Sequence, residues 1–256
     1  MRINHNITAL NNHRNMGLNN VAAGKSMEKL ASGLRINRAA DDAAGLAVSE
    51  KMRGQIRGLE QAQRNTQDGI SFVQTAEGAM NEISAMLVRM KELNVQKLNG
   101  TYGSGDKTNI DSELSALGAQ IDSILTDTKF NGINITSGAT IQTGDASGVT
   151  ISIGSISTTG ISGLSASTTL TSIETAIKNT STERAKLGAL QNRLEYTSNN
   201  LGTTIENLTA SESRIRDTDM AREMVNLTKN NILLQASQAM LAQANSQPQG
   251  VLSLLG

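Results

Sequence analysis

The chain has 256 residues and a formal net charge of zero, so one large domain or two modest ones fit, and no basic stripe points to nucleic acid as a partner. It has no Cys and no Trp, and aromatics make up 2% of it. Disulfide frameworks and thiolate chemistry are therefore excluded, and the core has to come from Leu, Ile, Val, Met and Ala, which suits helix-on-helix seams.

The opening Met1-Arg2-Ile3-Asn4-His5-Asn6 leads into polar residues without an apolar h-region, so no cleavable secretory signal is expected. No apolar run of about 18 residues occurs, so no membrane span is expected either. The default location is then the cytoplasm, with another export route left open. From Ile3 to Leu34 the apolar residues Ile3, Ile7, Leu10, Leu18, Val21, Met27 and Leu30 recur at helical spacing. Gly17 and Gly24 weaken this helix by about 1 kcal/mol each relative to Ala. Arg35 to Gly45 breaks the pattern and reads as a connector, in which Asp41 and Asp42 could cap the next helix.

A very long helical pattern then runs from about Leu46 to Leu98, marked by Ile56, Leu59, Ile70, Val73, Met80, Ile83, Leu87, Met90 and Leu93. Such a helix would reach roughly 75 Å, too long for a small globule, which implies an elongated bundle or coiled coil. Asn99 to Asp106 is a Gly-rich loop, and a shorter helix with Ile110, Leu114, Leu117, Ile121 and Ile124 ends near Thr126. Character changes between Phe130 and Ser167, which is rich in Gly, Ser, Thr and Ile. Ala139–Thr143 and Val149–Ile153 alternate like strands around the hairpin loop Gly144–Gly148. This stretch is too short for a domain of its own and is expected to pack on the tip of the helices. Thr171-Ser172-Ile173-Glu174 fits a capping box and opens another long helix through Ile177, Leu187, Leu190, Leu194, Leu201, Ile205 and Leu208.

After a brief interruption the last stretch, Ser211 to Gly256, predicts an amphipathic helix with Ile215, Met220, Met224, Leu227, Leu234, Met240 and Leu241 on one apolar face. Asn and Gln (Gln235, Gln238, Gln243, Asn245) occupy the other face, suiting a wet channel or plain solvent. Pro248 is expected to stop this helix, leaving Val251, Leu252, Leu254 and Leu255 to pack or fray. The predicted fold is mainly α: an elongated antiparallel helical bundle or coiled coil with a small β-hairpin element. The chain runs out along one axis and returns, so its two sticky ends meet.

Several ordered motifs carry a resemblance beyond this pattern. They are Met1–Asn4 through Leu10-Asn11, Leu30-Ala31-Ser32-Gly33-Leu34-Arg35-Ile36-Asn37, Asp41–Gly45, Gln67-Asp68-Gly69-Ile70-Ser71 and Thr75–Glu82. Phe130-Asn131-Gly132, Arg214-Ile215-Arg216-Asp217-Thr218-Asp219-Met220-Ala221 and Gln235-Ala236 through Pro248-Gln249 complete the set. In these the chain resembles bacterial flagellin over about residues 1–136 and 170–256. The resemblance implies a terminal domain from residues 1–45 and 211–256, a rod domain from 46–210 with a β element near 130–168, and no outer variable domains. It implies a structural subunit that self-assembles into the flagellar filament for swimming, with terminal helices that order on polymerisation. The expected assembly residues are Ile3, Ile7, Leu10, Met220, Met224, Leu227, Leu234 and Leu241.

The resemblance also implies secretion through the flagellar export apparatus, an export chaperone at the C-terminal helix (Met224, Leu227, Leu233, Leu234), and filament cap and hook-associated proteins as partners. A host toll-like receptor contact maps onto Leu87–Leu93. Arg89 and Leu93 stand at matching positions, Gln120 replaces an acidic residue on the short helix, and Val88 replaces the usual Gln. Two other readings stay in view: the related hook–filament junction protein, and a cytoplasmic coiled-coil scaffold. Catalysis, cofactors and metals are not expected. His5 and His13 stand eight apart without Cys, and Asp41-Asp42 with Asp217 and Asp219 suit turn caps and surface ion pairs. Asn134-Ile135-Thr136 is a formal glycosylation sequon, and Ser and Thr between Ser137 and Thr169 read equally as sugar carriers or loop residues.

Overall fold

Two short breaks containing Asp, the loop Asn99–Gly103 and one longer Gly/Ser/Thr-rich stretch interrupt the helices of the described residues. The structure, a computed structural model, describes residues 6–255, with side chains as far as Gln247. The helices are α1 (Ile7–Ser32), α2 (Ala43–Leu98), α3 (Ser104–Asp127), α4 (Leu170–Arg216) and α5 (Met220–Leu255). Two antiparallel strand pairs stand between α3 and α4: β1 (Lys129–Phe130) with β2 (Ile133–Asn134), and β3 (Ala139–Gln142) with β4 (Thr150–Ile153). The fold is therefore mainly α with a small β element, as the periodicity predicts. The chain divides into two compact units, one formed by the residues up to Gly54 together with those from Leu208 onward, the other by Gln55–Asn207.

The Gln55–Asn207 unit is organised by one seam of α2. Leu59, Ala62, Thr66, Gly69, Val73, Ala76, Met80, Ile83, Leu87, Met90 and Asn94 are all buried, at alternating steps of three and four. That is the heptad spacing that keeps one stripe of a helix against its partners. The same spacing runs along α4 through Ile173, Ala176, Thr180, Glu183, Leu187 and Leu194, and α3 contributes Ile110, Leu114, Ile121 and Leu125. Met80, Ile83, Leu87, Met90, Leu114, Ile121, Ile173 and Leu194 are fully buried in one continuous core.

The segment from residue 129 to 169 does not sit on a helix tip. It lies lengthwise on the helices: Asn65 Nδ2 donates to the Gln142 carbonyl at 3.2 Å, Asn94 Nδ2 to the Thr168 carbonyl at 2.8 Å, and Lys97 Nζ to the Ala166 carbonyl at 3.0 Å. Those anchors span about 48 Å of α2 at 1.5 Å per residue. The reason is apolar: Ile135, Ile151, Ile153, Ile156, Ile161 and Leu164 are buried in the common core, and a helix end offers too little surface to cover them. Gly118 makes one such contact, since a Cβ there would run into the Leu164 carbonyl oxygen.

The β1–β2 pair is an addition to the predicted elements. Asn131 (φ 48°) and Gly132 (φ 80°) form its two-residue turn, the Asn-Gly chemistry that a tight hairpin requires. It holds Phe130 edge-on to Phe72, ring centroids 5.9 Å apart, so the two phenylalanines of the chain meet. The start of α4 also moves from the expected place. Thr169, not Thr171, caps it, with Oγ1 accepting from the Ser172 N–H at 3.3 Å. Glu174, freed from the predicted capping box, pairs with Lys91 at 3.0 Å. Pro248 does not end α5, which continues to Leu255; the ring removes one N–H from the ladder and leaves the rest of the helix in place.

Candidate assembly surface

The second unit is built from the chain's two ends and a joint between them. Asn6 caps α1, its Oδ1 accepting from the Ala9 N–H at 3.0 Å, and Gly33 ends it in the left-handed region at φ 72°. The connector then pairs with the break between α4 and α5. Leu34 and Asp217 form an isolated antiparallel bridge, the Arg35 N–H donates to the Arg216 carbonyl at 2.7 Å, and the Thr218 N–H donates to the Gly33 carbonyl at 2.9 Å. Arg35 Nη2 adds a bond to the Ile215 carbonyl at 2.6 Å.

The acidic residues of the joint serve as caps and ion-pair partners. Asp42 caps α2 through the Gly45 N–H at 2.8 Å, and Asp219 caps α5 through the Arg222 N–H at 3.1 Å. Asp41 caps no helix; it closes the connector turn by accepting from the N–H groups of Arg38 and Asn37, and the Arg38 bond first of all holds its carboxyl below the usual carboxylate range. Arg216 donates to Glu50 at 2.8 Å, and this bond, reinforced by Arg53, lowers the Glu50 carboxyl in the same way.

From the joint, α1 and α5 run antiparallel as a coiled pair. The α1 residues withdrawn from solvent include Ala9, Asn12, Met16, Asn19, Ala23, Ser26 and Leu30; those of α5 as far as Gln247 are Glu223, Leu227, Asn230, Leu234, Ser237, Leu241 and Ala244. Both sets keep steps of three and four. Cross-seam bonds run from Asn6 Nδ2 to the Ala244 carbonyl at 2.7 Å and from Asn19 Nδ2 to Ser237 Oγ at 3.3 Å.

The large apolar residues of α1 are on the outside. Ile7, Leu10, Leu18, Val21 and Met27 are 54–67% exposed, the first four on the face opposite the seam. On α5, Met220, Met224, Val225, Ile232, Leu233 and Met240 are 40–67% exposed. Apolar residues thus surround α5 rather than forming the single face that the sequence predicts: Leu227, Leu234 and Leu241 take the seam, and the others point away.

The expected assembly residues therefore separate into two groups. Leu227, Leu234 and Leu241 pair the chain's own ends, while Ile7, Leu10, Met220 and Met224 face solvent. Ile3 lies outside the described residues. The polar seam members Asn12, Asn19, Ser26, Asn230 and Ser237 escape a search for apolar periodicity, although their seven-residue repeat could have revealed them. In the other unit, Arg89 and Gln120 are exposed but Leu93 is only 2% exposed. Leu93 is a seam residue and cannot touch a receptor without opening the core. The acidic residue of α3 that meets Arg89 is Glu113, at 3.0 Å, rather than the position of Gln120; with Glu92 it raises the Arg89 pKa further above its ordinary value.

The family model for the bacterial flagellin N-terminal helical region matches residues 3–143, and that for the C-terminal helical region matches residues 170–255. The chain belongs to the bacterial flagellin family. It is 50% identical to the flagellin of Bacillus subtilis (strain 168) and 46% identical to the flagellar filament 33 kDa core protein of Treponema phagedenis, in each case over all of both chains. Among solved structures it is similar to the crystal structure of Bacillus cereus flagellin, with 37% identity, a TM-score of 0.48, and coverage of 54% of this chain and 88% of that one. This flagellin is a structural subunit of the flagellar filament, and the full-length identities set the junction-protein and scaffold readings aside. No helix among the described residues is long and apolar enough to cross a membrane.

Proposed function

We propose that the outward apolar faces of α1 and α5 are the surfaces through which this flagellin packs against neighbouring copies, and that both helices order fully only when those copies are present. One observation carries the reading: the intrachain seam mixes leucines with small and polar residues, while most of the large apolar residues of α1 and α5 remain in solvent. Burying one such Leu, Ile, Val or Met contributes about 1.5–3 kcal/mol, so the larger gain awaits a neighbour. A subunit whose patches meet different patches on the next copy builds an open helical polymer. An isolated pair with a weak seam bears the cost of helix nucleation with little return.

The same arrangement supports a chaperone reading for export before assembly. Of the candidate contacts, Met224 and Leu233 are exposed, whereas Leu227 and Leu234 are in the seam. A partner that grips all four must displace α1, and so keeps the seam open until the subunit reaches the filament end, where cap and hook-associated proteins are its further partners. The export route that needs no cleavable signal belongs to this proposal. A toll-like receptor contact would rest on exposed Arg89, Glu113 and Gln120, without Leu93.

Seeded growth tests the assembly reading. Val21→Asp with Ile232→Asp should abolish extension of filament seeds at concentrations where the parent elongates, while thermal unfolding of the Gln55–Asn207 unit stays unchanged. Parental growth by the double variant would remove the outward faces from the interface.

A further inference from the structure

The chain contains the dipeptide Asn-Gly twice, at Asn99-Gly100 and at Asn131-Gly132. All four residues are exposed, so access to water does not distinguish the two pairs. Backbone conformation does. Asn131 (φ 48°) and Gly132 (φ 80°) form the turn between β1 and β2, closed by the pairing of Phe130 with Ile133 and of Lys129 with Asn134. In a left-handed residue the next backbone nitrogen points away from the side chain, and turning it round means opening the hairpin. Asn99 follows the last residue of α2, and Gly100 lies in a turn outside any strand pair. The Thr101 N–H donates to Asn99 Oδ1 at 3.3 Å, which folds the side chain over the peptide that Asn99 shares with Gly100. The helices on either side of this loop are tied independently of it. Gln96 Nε2 donates to Tyr102 Oη at 3.0 Å, and Lys97 pairs with Asp111 of α3. The Asn99–Gly100 peptide can therefore rearrange while α2 and α3 stay joined.

We propose that Asn99 is a site of spontaneous covalent modification, in which its side-chain amide is lost through a succinimide to give an aspartyl or isoaspartyl residue, and that the β1–β2 hairpin protects Asn131 from the same reaction. The Gly100 amide nitrogen gives its proton to water or hydroxide and attacks Asn99 Cγ, closing a five-membered ring. Glycine permits this approach because it has no Cβ to crowd the attacking nitrogen. The negative charge that develops on Oδ1 meets the Thr101 N–H already aimed at it. The bond from Cγ to Nδ2 then breaks, and the nitrogen takes up a proton and leaves as ammonia. Water adds at either ring carbonyl. Opening at one restores the normal backbone as Asp; opening at the other leaves an isoaspartyl linkage, with one extra carbon in the backbone between α2 and α3. The net reaction consumes one water, releases one ammonia and makes the formal net charge of the chain, zero at pH 7, more negative by one. An isoaspartyl carboxyl at this loop is the substrate class of a carboxyl methyltransferase that uses S-adenosylmethionine.

Incubation of the full chain at mildly alkaline pH, followed by cleavage and peptide mapping by mass spectrometry, reads both sites in one sample. In the folded chain Asn99 should be modified roughly tenfold faster than Asn131, the factor that corresponds to breaking one or two hydrogen bonds of the hairpin. An isoaspartyl methyltransferase with a labelled methyl donor should mark the peptide that carries Asn99, and isoelectric focusing should show a more acidic band growing in step. In denaturant the two rates should converge, because the dipeptide is the same and the hairpin is gone. Gly100→Ala meets no neighbour and replaces a glycine whose φ is not positive, so the fold tolerates it. It should slow modification at Asn99 to the rate of Asn131 or below and leave Asn131 unchanged. Equal rates at the two sites of the folded chain overturn the proposal. So does a folded chain that keeps Asn99 intact while the denatured chain loses it, and so does a Gly100→Ala chain modified at the parental rate.

Discussion

The Gln55–Asn207 unit and the unit of joined ends are both built on three-four helical seams, and they put their large apolar residues in opposite places. In the first, Met80, Ile83, Leu87, Met90 and Leu194 have no solvent contact, and the unit completes its own core. In the second, Leu227, Leu234 and Leu241 are half-buried while Ile7, Leu10, Val21, Val225 and Ile232 stand in water. Heptad spacing therefore says which residues share a face and leaves open whether that face is a finished core. One chain can hold a unit that closes its own core and another that leaves many of its large apolar residues in solvent.

The largest expected effect tests the self-sufficient side. Leu87→Ala or Leu194→Ala should each destabilise the central unit by about 2–5 kcal/mol in denaturant unfolding, the cost of a cavity in a closed core. Leu234→Ala, from the half-buried seam, should leave that transition unmoved and act on seed extension instead; an equal loss from all three would erase the contrast. Next comes Gly118→Ala, which forces the Leu164 carbonyl away from α3. It should cost the central unit about 1–3 kcal/mol, read as a lower melting temperature, whereas Gly188→Ala on α4, where a Cβ meets nothing, should stabilise it slightly.

The smallest effect concerns the joint. The Glu50 carboxyl has its pKa lowered in the folded chain by Arg216, so its contribution is present at neutral pH and is lost as the pH falls through the folded value. Acidification should loosen the α1–α5 unit before the central unit, followed by hydrogen exchange of the Arg35 and Thr218 amides. Glu50→Gln should flatten that acid dependence. An acid response identical in the parent and the Gln variant would assign the loosening to other carboxylates, Asp41 first among them.

Most of the helical plan is legible in the sequence, for reasons tied to particular residues. The stripe from Leu59 to Met90 is apolar and unbroken enough to predict α2, and the alternation of Ile141, Ile151 and Ile153 predicts the β3–β4 hairpin. The β1–β2 turn is equally readable in Asn131-Gly132, but two-residue strands give no alternation to notice. The cap of α4 is ambiguous in sequence because Thr169 and Thr171 offer the same chemistry two residues apart, and the pull of Lys91 on Glu174 comes from a distant part of the chain. In the candidate assembly surface Ile7, Leu10, Met220 and Met224 are legible as apolar positions, but their separation from Leu227, Leu234 and Leu241 is not. A helix with apolar residues all round has no preferred inward face until its partner is placed.

The sequence put the last interruption ahead of Ser211, whereas α4 runs on to Arg216 and the chain breaks at Asp217–Asp219. By itself it determined the number and rough extent of the helices, the break at Asp41-Asp42, the absence of disulfides and the family. These follow from local propensity, capping and composition, which act within a few residues. The tertiary structure alone decided that the β segment lies along α2, that Leu93 is core, and that Asn19 meets Ser237 while Val21 and Ile232 face outward. Each of those depends on contacts between residues far apart in the chain. Periodicity records which side chains share a face; which face is inward is set by the partner helix, whose own best face competes for the same burial.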